Sequence, residues 1–66
     1  MKNVKLRNAI FEAKLTQRDV AKKTKIPESQ LSMSIHGRFI LDEIQKARIA
    51  KLLGKPINQL FKRISN

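Results

Sequence analysis

Residues 15–38 read LTQRDVAKKTKIPESQLSMSIHGR, and the stretch is punctuated as two short helices around one tight connection. Thr16 has the character of an N-cap, since its hydroxyl can accept from a backbone N–H of the first turn. Asp19 stands three residues later, where a carboxylate reaches back to the cap and favours the positive end of the helix dipole. Val20 and Ala21 face inward, and the helix is expected to end near Thr24. Lys25-Ile26-Pro27 is then the connection. Pro27 suits the position just before, or at, the first turn of the next helix, where a missing N–H does no harm. Glu28 favours the same start. Leu31 and Ile35, four residues apart, form the buried edge, and Gly37 is expected to stop the helix as its left-handed C′ residue.

On the N-terminal side, Asn3 is a plausible cap for a helix from about Asn3 to Lys14. Leu6, Ile10 and Ala13 recur at helical spacing, with Ala9 and Phe11 on the flanks. Lys2 and Lys5 lie at the positive end of that dipole, which is unfavourable. The mild cost suggests a role other than helix stability. On the C-terminal side, residues 38–41 form a loop in which Leu41 or Ile40 is expected to point inward and Phe39 to be more exposed. Asp42 and Gln45 repeat the start signal. The following helix carries Ile44, Ala47, Ile49, Ala50 and Leu53 and ends at Gly54. Pro56 opens a short last helix with Ile57, Leu60 and Phe61 on its apolar face. Four of the five acids, Asp19, Glu28, Asp42 and Glu43, fall at expected helix starts. No segment alternates as a strand does. The expectation is one all-α domain of five helices over residues 1–66.

Composition narrows the function. Fifteen Lys and Arg against five Asp and Glu give a formal net charge of +10 on 66 residues. A domain so charged repels itself, and a polyanion relieves the repulsion. Nucleic acid is the commonest such partner, and an anionic membrane surface comes second. The chain has no cysteine and one histidine, His36. Disulfides and thiolate zinc sites are therefore excluded, and no metal or cofactor site is expected. No apolar run approaches a membrane span of about 20 residues. The basic N-terminus lacks the uninterrupted apolar stretch of a signal peptide, so a cytoplasmic protein is expected. No paired carboxylates, activated nucleophile or glycine-rich phosphate loop suggests an enzyme.

Two short helices joined by a tight turn, the second closed by glycine, form a helix-turn-helix. Ala21 is small enough to let the helices approach, Ile26 plugs the turn, and Leu31 points inward. The stretch 15–38, with RIAKLLGKPINQLF at 48–61, resembles the Cro/cI-type (XRE) helix-turn-helix family of phage and bacterial regulators. The resemblance spans nearly the whole chain. It implies a compact five-helix, lambda-repressor-like fold. It also implies binding of duplex DNA, usually by a homodimer on a palindromic operator, in some cases a dimer that forms only on DNA. By position it implies that Gln17 contacts a phosphate and supports the reading helix, that Glu28, Ser29, Ser32 and Met33 face base edges, and that Gln30 lies at the edge of that face. Arg38 and Arg18 are expected phosphate ligands, with Lys22, Lys23 and Lys25 as further candidates.

The residue chemistry suits these roles. Glu accepts from cytosine N4, Ser is permissive, Gln pairs with adenine, and a Met side chain can meet a thymine methyl. Plainer roles stand beside them. Gln17 and Glu28 also suit an exposed helix start, Met33 suits a surface filler, and His36 suits the negative end of a dipole. Lys62 and Arg63 are expected to be solvated. The sequence departs from the family at Ser34, often aliphatic there, at Met33, often Arg or Gln, and at Phe39-Ile40-Leu41, which replaces a usual proline. The alternative function is a protein-interaction module, an antitoxin or adaptor, on the same fold. A membrane-active cationic peptide is the weakest reading, because such a peptide has no use for successive start and stop signals.

Overall fold

The computed structural model describes residues 2–61; Lys62 and Arg63 lie outside them. Five helices and no strand occur among the described residues: α1 (Val4–Glu12), α2 (Gln17–Thr24), α3 (Glu28–Ile35), α4 (Glu43–Leu53) and α5 (Ile57–Leu60). Each start follows from a side chain. Thr16 and Asp19 form a full capping box, as do Asp42 and Gln45. Asn3 caps α1 through Oδ1, which accepts from the Leu6 N–H at 3.0 Å. Proline precedes α3 and α5.

The ends obey one rule. After α1, α2, α3 and α4 the chain turns through a left-handed residue: Lys14, Lys25, Gly37 and Gly54. At α3 the Gly37 N–H bonds to the Ser34 carbonyl and the Arg38 N–H to the Met33 carbonyl, the paired bonds of a Schellman motif. The same pair closes α1, from Lys14 to Phe11 and from Leu15 to Ile10. Lysine pays the Cβ clash that glycine avoids, roughly 1 kcal/mol.

One core joins the helices. Leu6, Val20, Leu31, Ile35, Leu41, Ile49 and Leu60 are fully buried, and Ile26 plugs the α2–α3 turn. α2 packs against both α3 and α4, while α1 packs against α3 and α5. Inside this core the Thr24 hydroxyl donates to the Val20 carbonyl at 2.6 Å, so its polarity is satisfied.

Several apolar expectations need correction. Leu41 is the inward residue of the loop at 2% exposed, Ile40 stands out at 84%, and Phe39 is half-buried rather than the exposed member. One residue can fill the gap under α4, and Leu41, adjacent to the Asp42 cap, is the one aimed there. Ala13 is the exposed C-cap of α1, not part of its inner face. Ile44 and Ala47 lie on the solvent side of α4, Ile44 at 67% exposed. At 100° per residue they fall opposite Ile49 and Leu53.

Asn3 ties the chain's start to two distant elements. Its backbone N–H donates to the Ile35 carbonyl at the end of α3 at 2.6 Å, and its Nδ2 donates to the Leu60 carbonyl of α5 at 2.8 Å. Replacing Asn3 with Ala removes both side-chain bonds, a cap and a tertiary contact. The expected loss is about 2 kcal/mol of unfolding free energy, read from urea denaturation. A loss below about 0.5 kcal/mol contradicts that role.

Candidate nucleic-acid interface

The geometry of α3 sorts its residues by angle. Leu31, Ser34 and Ile35 point into the core. Ser29, Ser32, Met33 and His36 therefore form one outward stripe, with Glu28 on one flank and Gln30 on the other. Ser29, Met33 and Glu28 are exposed, and Ser32 and Gln30 are half-buried. The stripe is uncharged at its centre and carries hydroxyls and one thioether. Such a surface can accept or donate hydrogen bonds and touch a methyl group.

Cations stand at both ends of the stripe. Arg18, on the second residue of α2, lies 3.8 Å from the Glu28 carboxylate. The pair is exposed, so its contribution to stability is small. It offsets a negative charge that would otherwise stand alone beside a polyanion. Arg38 is exposed just beyond Gly37, where the Schellman turn fixes its backbone. Gln30 is less free than its neighbours, because its Oε1 accepts from Gln45 Nε2 of α4 at 3.2 Å.

Gln17 opens α2 and is half-buried. The capping box fixes its position: the Asp19 N–H bonds to Thr16 Oγ1 at 3.1 Å and the Thr16 N–H to Asp19 Oδ2 at 3.0 Å. Beside Gln17 the chain forms a notch of about 270 Å³, to which Lys2 and Arg7 at the start of α1 and His36 at the end of α3 also contribute. The sequence reading had no role for Arg7 and gave His36 chiefly the dipole, with a pH switch as the lesser reading. Lys2, unfavourably placed ahead of α1, was the one signal that pointed there. Among the expected site residues, Gln17, Ser29, Ser32, Met33 and the Arg18–Glu28 pair come together around α2 and α3. Gln30 turns partly toward α4.

Compared with known protein families, with curated proteins and with solved structures, the chain matches none. Among the described residues no helix is long and apolar enough to cross a membrane, and no group of three His, Asp or Glu could hold a metal ion.

The capping box has a pH signature. Donation from the Thr16 backbone N–H, and then from its hydroxyl, holds the Asp19 carboxyl below the usual carboxylate range, with Lys23 and Lys22 adding attraction. A lowered folded pKa means that the stabilisation is present above the unfolded value and is lost as pH falls through the folded one. Carboxyl NMR titration is expected to place the Asp19 midpoint below the ordinary aspartate range, and Thr16→Ala is expected to raise it. An Asp19 midpoint unmoved by Thr16→Ala contradicts this assignment.

Proposed function

We propose that the chain is a sequence-specific, duplex-DNA-binding transcriptional regulator with a lambda-repressor-like fold of the Cro/cI type. The observation that carries the reading is the outward stripe Ser29–Ser32–Met33, presented by a helix that α2 braces and flanked by Arg18 and Arg38. In a helix-turn-helix the second helix enters the major groove and the first crosses the backbone. A stripe of short polar side chains allows the helix to approach base edges closely, while the cations and Gln17 hold phosphates. The net charge of +10 supplies the long-range attraction.

The protein acts as a homodimer on a palindromic operator, assembling on DNA. Free in solution, two copies of this charge repel each other; bound phosphates remove the repulsion. The surface that suits a second copy is the outer face of α4. Ile44 and Ala47 lie there unpartnered, with Glu43 at one end and Lys51 toward the other. Two such helices crossing antiparallel at Ala47 set Glu43 of each opposite Lys51 of the other, because the pairs are equidistant from residue 47. Ile40 is exposed just ahead of this face.

The test is selection of bound sequences from a random duplex library over a salt series. The expected result is a palindrome with half-sites about one helical turn apart. The Ser29→Ala/Gln30→Ala double variant is expected to lose about ten-fold in affinity for the selected duplex and to relax its preference. Binding with no enriched motif, or an unchanged preference in the double variant, contradicts α3 as the reader. No duplex binding near physiological salt, with a protein captured in stoichiometric amount, instead favours the interaction module.

The dimer face is checked separately. Ile44→Asp leaves the fold intact, since the side chain is exposed, and is expected to weaken binding to the full palindrome at least ten-fold while sparing a single half-site. Equal binding of the palindrome by wild type and variant rules this face out.

A further inference from the structure

A second group of cations lies away from the reading stripe. Lys23, Lys25, Arg48 and Lys51 line a recess of about 430 Å³ between the last turn of α2 and the second half of α4, beside Thr24 and Leu52. The cations are exposed, Leu52 is half-buried and Thr24 is buried. No carboxylate is among the lining residues. None is free to swing in. Glu12, Glu28 and Glu43 pair with Lys55, Arg18 and Lys46, and Asp19 and Asp42 are held in capping boxes. The negative end of the α2 dipole answers only about half a unit charge, against four cations in the recess.

The recess and the stripe stand on opposite sides of α2, which packs against both α3 and α4. Arg18 marks the α3 side by its pair with Glu28. Lys23 stands about 140° further around the helix and borders α4 instead. Asp19 and Lys22 occupy the ridge between them. A helix with its side chains is about 10 Å across. A duplex seated on the α3 stripe therefore meets the Arg18 side and leaves the recess open to a second partner.

The groups present narrow what the recess can hold. Arg48 Nη1 donates to the Thr24 carbonyl at 3.4 Å, which sets the guanidinium at the end of α2 and leaves its Nε–Nη2 edge for a bidentate carboxylate. Lys25 takes a left-handed backbone with φ 60°. Glycine adopts that conformation without penalty, so lysine keeps a charge there at a cost in stability. The N–H groups of Lys25 and Ile26 both donate to the Ala21 carbonyl, so the turn has no backbone donor left to cradle a phosphate. No aromatic ring lines the recess to stack a base. What lies among the cations is the apolar side chain of Leu52.

We infer that this recess is a docking site for an acidic segment of a partner protein. The segment is amphipathic: its carboxylates meet Arg48 and the lysines, and an apolar side chain lies on Leu52. Charge complementarity selects it, and a second copy of this chain offers only acids that are engaged in the same way. The site does not depend on the DNA reading. Together the two make a domain that holds a duplex on the α3 side of α2 and an acidic protein on the α4 side at once. Lys51 also borders the α4 face proposed for a second copy, so the test leaves it unaltered.

The probe is a short synthetic peptide of glutamate and leucine, with the same peptide carrying glutamine for glutamate as control. Isotopically labelled protein is titrated with each and followed by NMR, first free and then with the selected duplex bound. Perturbations are expected at Lys23, Lys25, Arg48 and Leu52 in both states, with Ser29 and Met33 unmoved by the peptide and the glutamine peptide silent. Affinity is then compared between wild type and two double variants. Lys23→Gln/Lys25→Gly removes two charges from the recess. Lys5→Gln/Lys14→Gly removes two from α1 and its end, with the same relief of a left-handed lysine, since Lys14 also has φ 60°. Both keep the fold, because these side chains are exposed and glycine suits the backbone; urea denaturation checks this. Each exposed ion pair is worth a few-fold, so the recess variant is expected to bind the acidic peptide about ten-fold more weakly and the α1 variant to lose less than about two-fold.

Equal losses in the two variants, perturbations centred on the α3 stripe, or displacement of the peptide by the duplex overturn the site. Absence of peptide binding overturns it too, and a wild type that joins two duplexes where the recess variant cannot gives the recess to nucleic acid instead. Peptide binding at the recess by a protein that binds no duplex keeps the site and refutes the DNA reading alone. Duplex binding without peptide binding does the reverse.

Discussion

Asn3 is the residue on which the arrangement turns. Its Oδ1 starts α1, its N–H holds the end of α3, and its Nδ2 holds the end of α5. Those three bonds close a chain whose remaining cohesion is apolar and without direction. Burial of Leu6, Leu31, Ile35 and Leu60 brings α1, α3 and α5 into contact but does not by itself fix the angle between them. The Asn3 bonds fix it. They set the ends of α3 and α5 against the start of α1, where the notch lies. The tie to α3 is made by the Asn3 main chain, while its side chain caps α1 and holds α5.

The charge pattern follows from the same economy of acids. Every Asp and Glu of the chain stands at a helix start or in an ion pair, or both. Fold requirements absorb the negative charge, and the positive charge remains outside. Arg18 and Arg38 flank the uncharged stripe of α3 and Lys2 and Arg7 line the notch beside it, while Lys23, Lys25, Arg48 and Lys51 gather in a separate recess between α2 and α4. A cationic frame around a neutral reading surface suits a ligand that is anionic at its walls and carries hydrogen-bonding edges on its floor, which describes a DNA major groove.

Much of the fold is legible in the sequence because starts and stops are local chemistry. Thr16 with Asp19, Asp42 with Gln45, Pro27 and Gly54 each announce a boundary within a few residues. The stripe of α3 is equally legible, since it follows from the buried positions Leu31 and Ile35 and a fixed helical angle. Three features are not. The end of α1 is hidden because Lys14 takes a left-handed conformation that lysine seldom adopts, where glycine would have signalled it. The choice among Phe39, Ile40 and Leu41 depends on the gap beneath α4, which no local pattern encodes. Ile44 looks like core by composition, and only the rotation of α4 about its axis turns it to solvent. The notch is the least legible of all, for its residues lie at positions 2, 7, 17 and 36 and meet only through tertiary structure.

Contact between α3 and base edges is the centre of the account, and intermolecular NOEs from the methyl group of Met33 to the selected duplex measure it directly. The account predicts contacts from the Met33 methyl to base protons or thymine methyls of the major groove, with Ile44 methyls silent toward DNA. Base contacts from Ile44, with none from Met33, would place α4 rather than α3 in the groove and contradict it.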